Sequence, residues 1–231
     1  MSAEMKIPNC VGIIMDGNRR WARGNEMHIL KGHQAGGQTL KTIIKDANDL
    51  GIKHIIFYTF STENWKRSDE EVFYLLDLIS GFIKKELDYF NKENGVLHYV
   101  GDLSCFSEGL QRTLSESVEK TKNNSGINVY FALNYGGRAE ILSAVKKIIQ
   151  QNPNIEDINE DFFAKNLQTY PMPDPDIIIR TSGEMRLSGF LPWQGVYSEL
   201  FFTKTLWPDF NKEEFLKIIE EYSNRERRIG K

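Results

Sequence analysis

Val11-Gly12-Ile13-Ile14-Met15 is a short unbroken apolar run, the pattern of a strand buried on both faces. His54–Thr59, Val96–Val100, Ile127–Leu133, Ile177–Ile179 and Leu200–Phe202 read the same way. Between these runs the apolar residues return at helical spacing. Leu40, Ile43, Ile44 and Ala47 predict a helix over His33–Leu50, with Gly51 placed to stop it. Val72, Leu75, Leu76, Ile79, Phe82, Ile83 and Leu87 form the broad apolar face of a helix over Asp69–Phe90. Further helices are expected over Gly109–Lys122, from Gly136-Gly137 through Ile148, and over Asn211–Arg227. The alternation predicts an α/β fold with a mainly parallel central sheet of about six strands, covered by helices on both faces. Residues 152–176, with Pro171, Pro173 and Pro175, read as a surface connection around a short helix near Phe162. Residues 1–231 are therefore expected to form a single domain.

Composition narrows the function classes. A hydrophobic content of 40% is enough for one substantial core. The net charge of −3, from 29 basic and 32 acidic residues, provides no global field toward nucleic acid or anionic lipid, so any anion site must be local. Cys10 and Cys105 lack disulfide-framework or zinc spacing and are expected to be buried, reduced thiols. Met1–Cys10 has no signal-peptide core and no apolar run approaches the ~20 residues of a membrane span. A soluble, cytoplasmic protein is expected.

In a parallel sheet, ligands bind beyond the carboxyl ends of the strands. Four polar clusters follow strand ends here: Asp16-Gly17-Asn18-Arg19-Arg20, Ser61–Arg67, Asn134–Arg138 and Arg180–Ser188. Asp16 reads either as a turn residue or, beside two guanidinium groups, as an oxygen ligand for a metal-bound diphosphate. Arg180–Ser188 carries two arginines and three hydroxyls; it reads either as a solvated loop with local pairs to Glu184 or as a second phosphate site. Glu199 is a surface acid or a metal ligand. His33 is a solvent-facing helix residue or part of the site, and Trp65 either packs on the sheet edge or meets a ligand. Gly32–Thr39 matches the phosphate-loop template at every fixed position but the lysine, which is Gln38, and no convincing strand precedes it. A P-loop nucleotidase is rejected on that ground.

Taken together, the runs Ile14–Ala22, Gly32-His33-x-Ala35-Gly36, Phe60–Arg67, Asn134–Arg138 and Arg180–Ser188 resemble the cis-prenyltransferase family, and within it the bacterial undecaprenyl diphosphate synthases. The likeness continues through Trp193-Gln194, Tyr197-x-Glu199, Leu206–Phe210 and Asn224–Arg228. The resemblance implies repeated cis-condensation of isopentenyl diphosphate onto an allylic diphosphate such as farnesyl diphosphate. The implied product is a long polyprenyl diphosphate, most simply undecaprenyl diphosphate, the lipid-carrier precursor for cell-wall synthesis. It further implies a hydrophobic tunnel, Mg²⁺, a homodimer, delivery of product to a membrane, and no nucleic-acid partner.

By position, the resemblance makes Asp16 the residue that manages Mg²⁺ and the leaving diphosphate. Gly17, Arg19, Arg20, Trp21, His33 and Arg67 fall on the allylic site. Asn18, Ser61, Asn64 and Trp65 fall near the reacting carbons and are implicated in proton removal, Asn64 as a catalytic residue, and Thr62 and Glu63 are substrate-binding. Arg180, Arg186 and Ser188 match the isopentenyl diphosphate site, and Glu199 an acid that helps position Mg²⁺ across the dimer interface. The ending Arg228-Ile229-Gly230 matches a tail that completes a substrate site. The chain departs from the pattern at Ile29, where the family has an arginine that holds the allylic diphosphate; His28 and Lys31 are the nearby basic residues. Other readings are a non-catalytic partner subunit of the same fold, a shorter-chain synthase, and an unrelated phosphate-binding hydrolase. The all-helical trans-prenyl synthases are disfavoured because Asp-Asp-x-x-Asp is missing.

Overall fold

Every neighbouring pair of strands is parallel in the computed structural model, which describes residues 5–226. The strands are β1 (Cys10–Ile14), β2 (His54–Ser61), β3 (Val96–Val100), β4 (Asn128–Tyr135), β5 (Ile177–Arg180) and β6 (Glu199–Phe202). Their order is β3-β4-β2-β1-β5-β6, so the expected mainly parallel sheet is parallel throughout. The helices are α1 (Asn18–Gly24), α2 (Ile29–Asp49), α3 (Asp69–Lys92), α4 (Glu108–Thr121), α5 (Gly137–Gln151), α6 (Glu160–Asn166) and α7 (Lys212–Asn224). The tail Arg228-Ile229-Gly230 lies outside the described residues.

Alternation along each strand feeds two cores. Val11, Ile13, Ile55, Phe57, Val129 and Phe131 face one side, where α2, α3, α4 and α7 contribute Ile43, Ile83, Leu114 and Phe215. Cys10, Ile14, Ile56, Tyr130 and Ile178 face the other, which is closed by Met172, Phe190 and Leu191. Loop residues thus share the covering of that second face. Cys10 is buried as expected, and burial pushes its thiol well up from the usual range. Cys105 is a free thiol but exposed, because the turn at Leu103–Cys105 sits at the sheet rim rather than under it.

The helix expected from His33 begins at Ile29. Gly32 weakened the helical signal there, yet it and Gly36 both serve packing between helices. A methyl group on Gly36 would lie 2.3 Å from Asn18 Oδ1, so only glycine lets α1 approach α2 this closely. The phosphate-loop look-alike is therefore the helical packing seam of α2. Trp207 docks on the same seam, its Nε1 donating to the Gly36 carbonyl at 2.9 Å.

Between β1 and α1 the chain turns at Gly17, with φ of 112° and an added Cβ only 3.0 Å from Leu206. Both the left-handed backbone and the close approach require glycine. Gly17→Ala is expected to lower stability by about 1–3 kcal/mol, read as a shifted urea midpoint; an unchanged midpoint would show that neither constraint binds.

Candidate active site

Ile14 and Arg180 are paired at the carboxyl ends of β1 and β5, and β2 and β5 flank β1 on opposite sides. This is the switch point of the sheet, where the following loops diverge and leave a crevice. Arg180 is 4% exposed, and its guanidinium spans the crevice. Nη2 donates to Asp16 Oδ2 at 2.8 Å, while Nη1 donates to Ser188 Oγ at 2.7 Å and to the Arg186 carbonyl. Nε is buried with no protein partner, an unused donor at the site. Burial pushes the Asp16 carboxyl up, but the Arg180 hydrogen bond and the charges of Arg180 and Arg20 outweigh it and hold it below the usual carboxylate range.

Arg20 ties the two loops together a second time. Its Nη1 donates to the Ser182 carbonyl at 3.0 Å and lies 3.7 Å from Glu184 Oε1; its Nη2 meets Ser182 Oγ and lies 3.7 Å from Asp16 Oδ1. Arg186 pairs with Glu184, as the solvated-loop reading expected, but in the same segment Arg180 and Ser188 turn inward.

Asp16, Gly17, Asn18, Arg19, Arg20, Arg23, His33 and Arg67 line a cavity of about 310 Å³. Four guanidinium groups here face one cavity-lining carboxylate, the balance a diphosphate needs. Glu71, 4% exposed, sits behind them. Its Oε1 accepts from Arg67 Nη1 at 2.9 Å and lies 3.6 Å from His33 Nε2 and 3.8 Å from Arg19 Nε. His33 is largely buried rather than solvent-facing, and desolvation together with the Arg67 charge lowers its pKa to about 4. It is a neutral imidazole at neutral pH.

Two of these residues were missed in the sequence. Arg23 lies four residues after Arg19 on α1 and lines the cavity, whereas Lys31 is bonded to Gln34 Oε1 at 3.2 Å and neither it nor His28 lines the cavity. Arg23 is thus an additional cation at this cavity. Glu71 was legible only as the i+4 partner of Arg67 in the first turn of α3.

A second cavity, of about 580 Å³, shares Asn18 and His33 with the first. Leu75, Ile79, Phe82 and Ile83 of the expected apolar face line it, opposite Gly36, Gly37 and Leu40 of α2, with Met15, Thr59 and Phe131 from the sheet side. Val72 and Leu87 of that face instead pack in the core.

Several expected site residues stand apart from both cavities. Trp21 donates from Nε1 to Asp209 at 2.7 Å, fastening α1 to the turn at Trp207–Asp209. Ser61, Thr62, Glu63, Asn64 and Trp65 form the turn after β2, where Asn64 Oδ1 accepts from the Ser61 amide at 2.9 Å. Trp65 packs on Phe60 and Phe106 and donates to Asn134 Oδ1 at 2.8 Å, the sheet-edge reading. Arg67 is the one member of Ser61–Arg67 that lines the arginine cavity. Glu199 begins β6 at the amino edge of the sheet, paired with Arg225 at 2.7 Å. The fold does not bring it to Asp16 within one chain, because β6 runs parallel to β5 and its start lies a strand length from Arg180.

No cluster of three or more His, Cys, Asp or Glu residues among the described residues is arranged to hold a metal. A single ionised carboxylate beside an arginine pocket nevertheless fits Mg²⁺, which commonly takes one or two carboxylates plus substrate phosphates.

Known proteins resemble this chain over nearly its whole length. The family model described as "Putative undecaprenyl diphosphate synthase" matches residues 14–230. An isoprenyl transferase of Clostridium perfringens is 47% identical, covering 98% of this chain and 91% of its own. One from Staphylococcus haemolyticus is 45% identical, over 97% and 89%. Among solved structures, lavandulyl diphosphate synthase from Lavandula x intermedia in complex with dimethylallyl diphosphate superposes with a TM-score of 0.93 at 33% identity, covering 97% of this chain and 99% of the other. A probable undecaprenyl diphosphate synthase from Campylobacter jejuni gives 0.83 at 32%, over 98% and 100%.

The neutral His33 has a measurable consequence. Between pH 6.5 and about 4 the unfolded chain takes up a proton that the folded one refuses, so the stability His33 contributes is complete above pH 6.5 and lost as pH falls toward 4. His33→Gln should lose less stability than the parent protein over that window in urea titrations, and the parent imidazole should titrate near 4 by NMR. A midpoint at the ordinary value would contradict the burial argument.

Proposed function

We propose that this chain, which belongs to the undecaprenyl diphosphate synthase family of prenyltransferases, performs Mg²⁺-dependent, repeated cis-condensation of isopentenyl diphosphate onto farnesyl diphosphate, ending at undecaprenyl diphosphate. One observation carries the reading. The arginine cavity and the apolar cavity share Asn18 and His33, so a charged head and a hydrocarbon tail on one molecule find adjoining compartments. A phosphate hydrolase has no use for the second compartment, and a non-catalytic subunit has no use for the Asp16–Arg180 pair.

The allylic diphosphate sits against Arg19, Arg20, Arg23 and Arg67, with its chain in the α2–α3 cavity. Asp16 would hold Mg²⁺, which when bound would supply positive charge to the departing diphosphate. The arginines oppose the diphosphate charge from fixed positions, and neutral His33 donates a hydrogen bond toward it. Isopentenyl diphosphate takes the other side of Arg180, against Ser188 and Arg186, which places the two diphosphates on adjacent loops. Asn64 is the proposed helper in proton removal; its side chain caps the turn after β2 and must be reached by substrate or by movement of that turn. The structural neighbour named for lavandulyl diphosphate shows that a shared fold does not choose the product, so undecaprenyl length rests on sequence likeness.

A homodimer is supported by Leu142, Val145 and Ile149, which expose an apolar stripe at i, i+3, i+7 on α5, and by the apolar edge of β6, where Val196 and Leu200 are exposed. That arrangement would let Glu199 serve a partner's site. No helix among the described residues is long and apolar enough to cross a membrane, and we assign the enzyme to the cytoplasm, delivering its product to the membrane.

Incubated with farnesyl diphosphate, labelled isopentenyl diphosphate and Mg²⁺, the protein should yield polyprenyl diphosphates that disappear on chelation. Asp16→Ala should fall at least about 100-fold. No elongation by the parent protein, or full activity in the variant, would sink the reading. Separately, the pair Leu142→Asp and Ile149→Asp should convert a dimer into a monomer by light scattering; a parent protein that is already monomeric would refute the dimer.

A further inference from the structure

Two polar contacts join α2 to α3, and the apolar cavity lies between them. At the diphosphate end, His33 faces Glu71 at 3.6 Å. At the other, Lys41 Nζ bonds Glu86 Oε2 at 2.5 Å and lies 4.3 Å from the centre of the Tyr89 ring. From the first contact to the second α2 advances about 12 Å and α3 about 22 Å at the helical rise, so the helices do not run in register and a gap opens between them. Gly37 and Gly81 leave that gap unfilled. The cavity lining follows α2 as far as Leu40 and α3 as far as Glu86, stopping where Lys41 and Glu86 meet. Glu86 is 7% exposed, a buried carboxylate in the wall of a compartment lined by Leu75, Ile79, Phe82 and Ile83. Beyond it Leu87 and Phe90 are packed in the core.

We propose that the Lys41–Glu86 pair is the far stop of the cavity and limits how long the product grows. The inference rests on the chain-elongation reading above. Lys41, seated over the ring of Tyr89, fixes Glu86 in place, and a hydrocarbon tail that reaches the carboxylate meets a group it can neither solvate nor displace. The two partners are unequal. Lys41 is 30% exposed and can turn its ammonium to water when Glu86 is removed, whereas loss of Lys41 strands a buried charge.

Product length, resolved by mass spectrometry under excess isopentenyl diphosphate, tests the stop. Glu86→Ala should lengthen the dominant product by at least one isoprene unit. Glu86→Gln, of the same size and still able to accept from Lys41, should keep the parental length. If Glu86→Ala is poorly folded by thermal melting, the double variant Lys41→Met, Glu86→Ala, which leaves no unpaired charge, should lengthen the product in its place. Parental length in whichever of these is folded overturns the proposal. A parent protein that makes no elongated product refutes instead the reading beneath it.

Discussion

Arg180 ends β5 with its guanidinium buried, and the carboxylate of Asp16, at the end of the neighbouring β1, accepts from it at 2.8 Å. Much else hangs on that contact. The same guanidinium holds Ser188 and the Arg186 carbonyl, so the second loop is placed by a residue whose other hand is on the first. A buried cation stripped of its partner is strongly destabilising, on the order of 3–5 kcal/mol, which makes this pair hard to rearrange without something anionic taking over. A diphosphate is such a group. The geometry therefore couples the two loops: whatever draws Asp16 or Arg180 toward a ligand is felt on both sides of the crevice.

Charge is managed at the arginine cavity in a similar way. Arg19, Arg67 and His33 converge on Glu71, which compensates the guanidinium groups from behind and keeps them pointed at the opening. The imidazole stays neutral because burial and the neighbouring Arg67 disfavour a further positive charge. Apolar surface begins at once beyond His33 and Asn18. Polar head and apolar tail are thus separated by the thickness of two side chains, with the sheet edge supplying one compartment and the α2–α3 seam the other.

Strand and helix placement was largely legible because parallel strands buried on both faces leave continuous apolar runs, and α3 carries its apolar face openly. The start of α2 was misplaced because Gly32 looks like a breaker until α1 is seen packed against it. Cys105 was expected inside and lies outside, since nothing local to Leu103–Cys105 tells a rim turn from a buried one. At the site, Asp16, Arg20, Arg67, Arg180 and Ser188 were read from clusters that follow strand ends and His33 from the family resemblance, and the fold brings them together. Trp21 and Trp65 were expected among the ligand contacts but are engaged with Asp209 and Asn134, because an indole near a motif signals packing as readily as binding.

By itself, then, the chain's pattern of apolar runs and polar strand ends determined an α/β sheet with an anion site at its carboxyl edge, since burial and strand periodicity act locally along the sequence. Only the tertiary structure decided that Arg23 joins the arginine cavity, that Glu71 stands behind the arginines, that Glu199 lies away from Asp16 in its own chain, and that Lys41 meets Glu86 at the end of the cavity. Those outcomes depend on how helices cross and how far apart strand ends fall. Such distances join residues remote in sequence, and no local pattern records them.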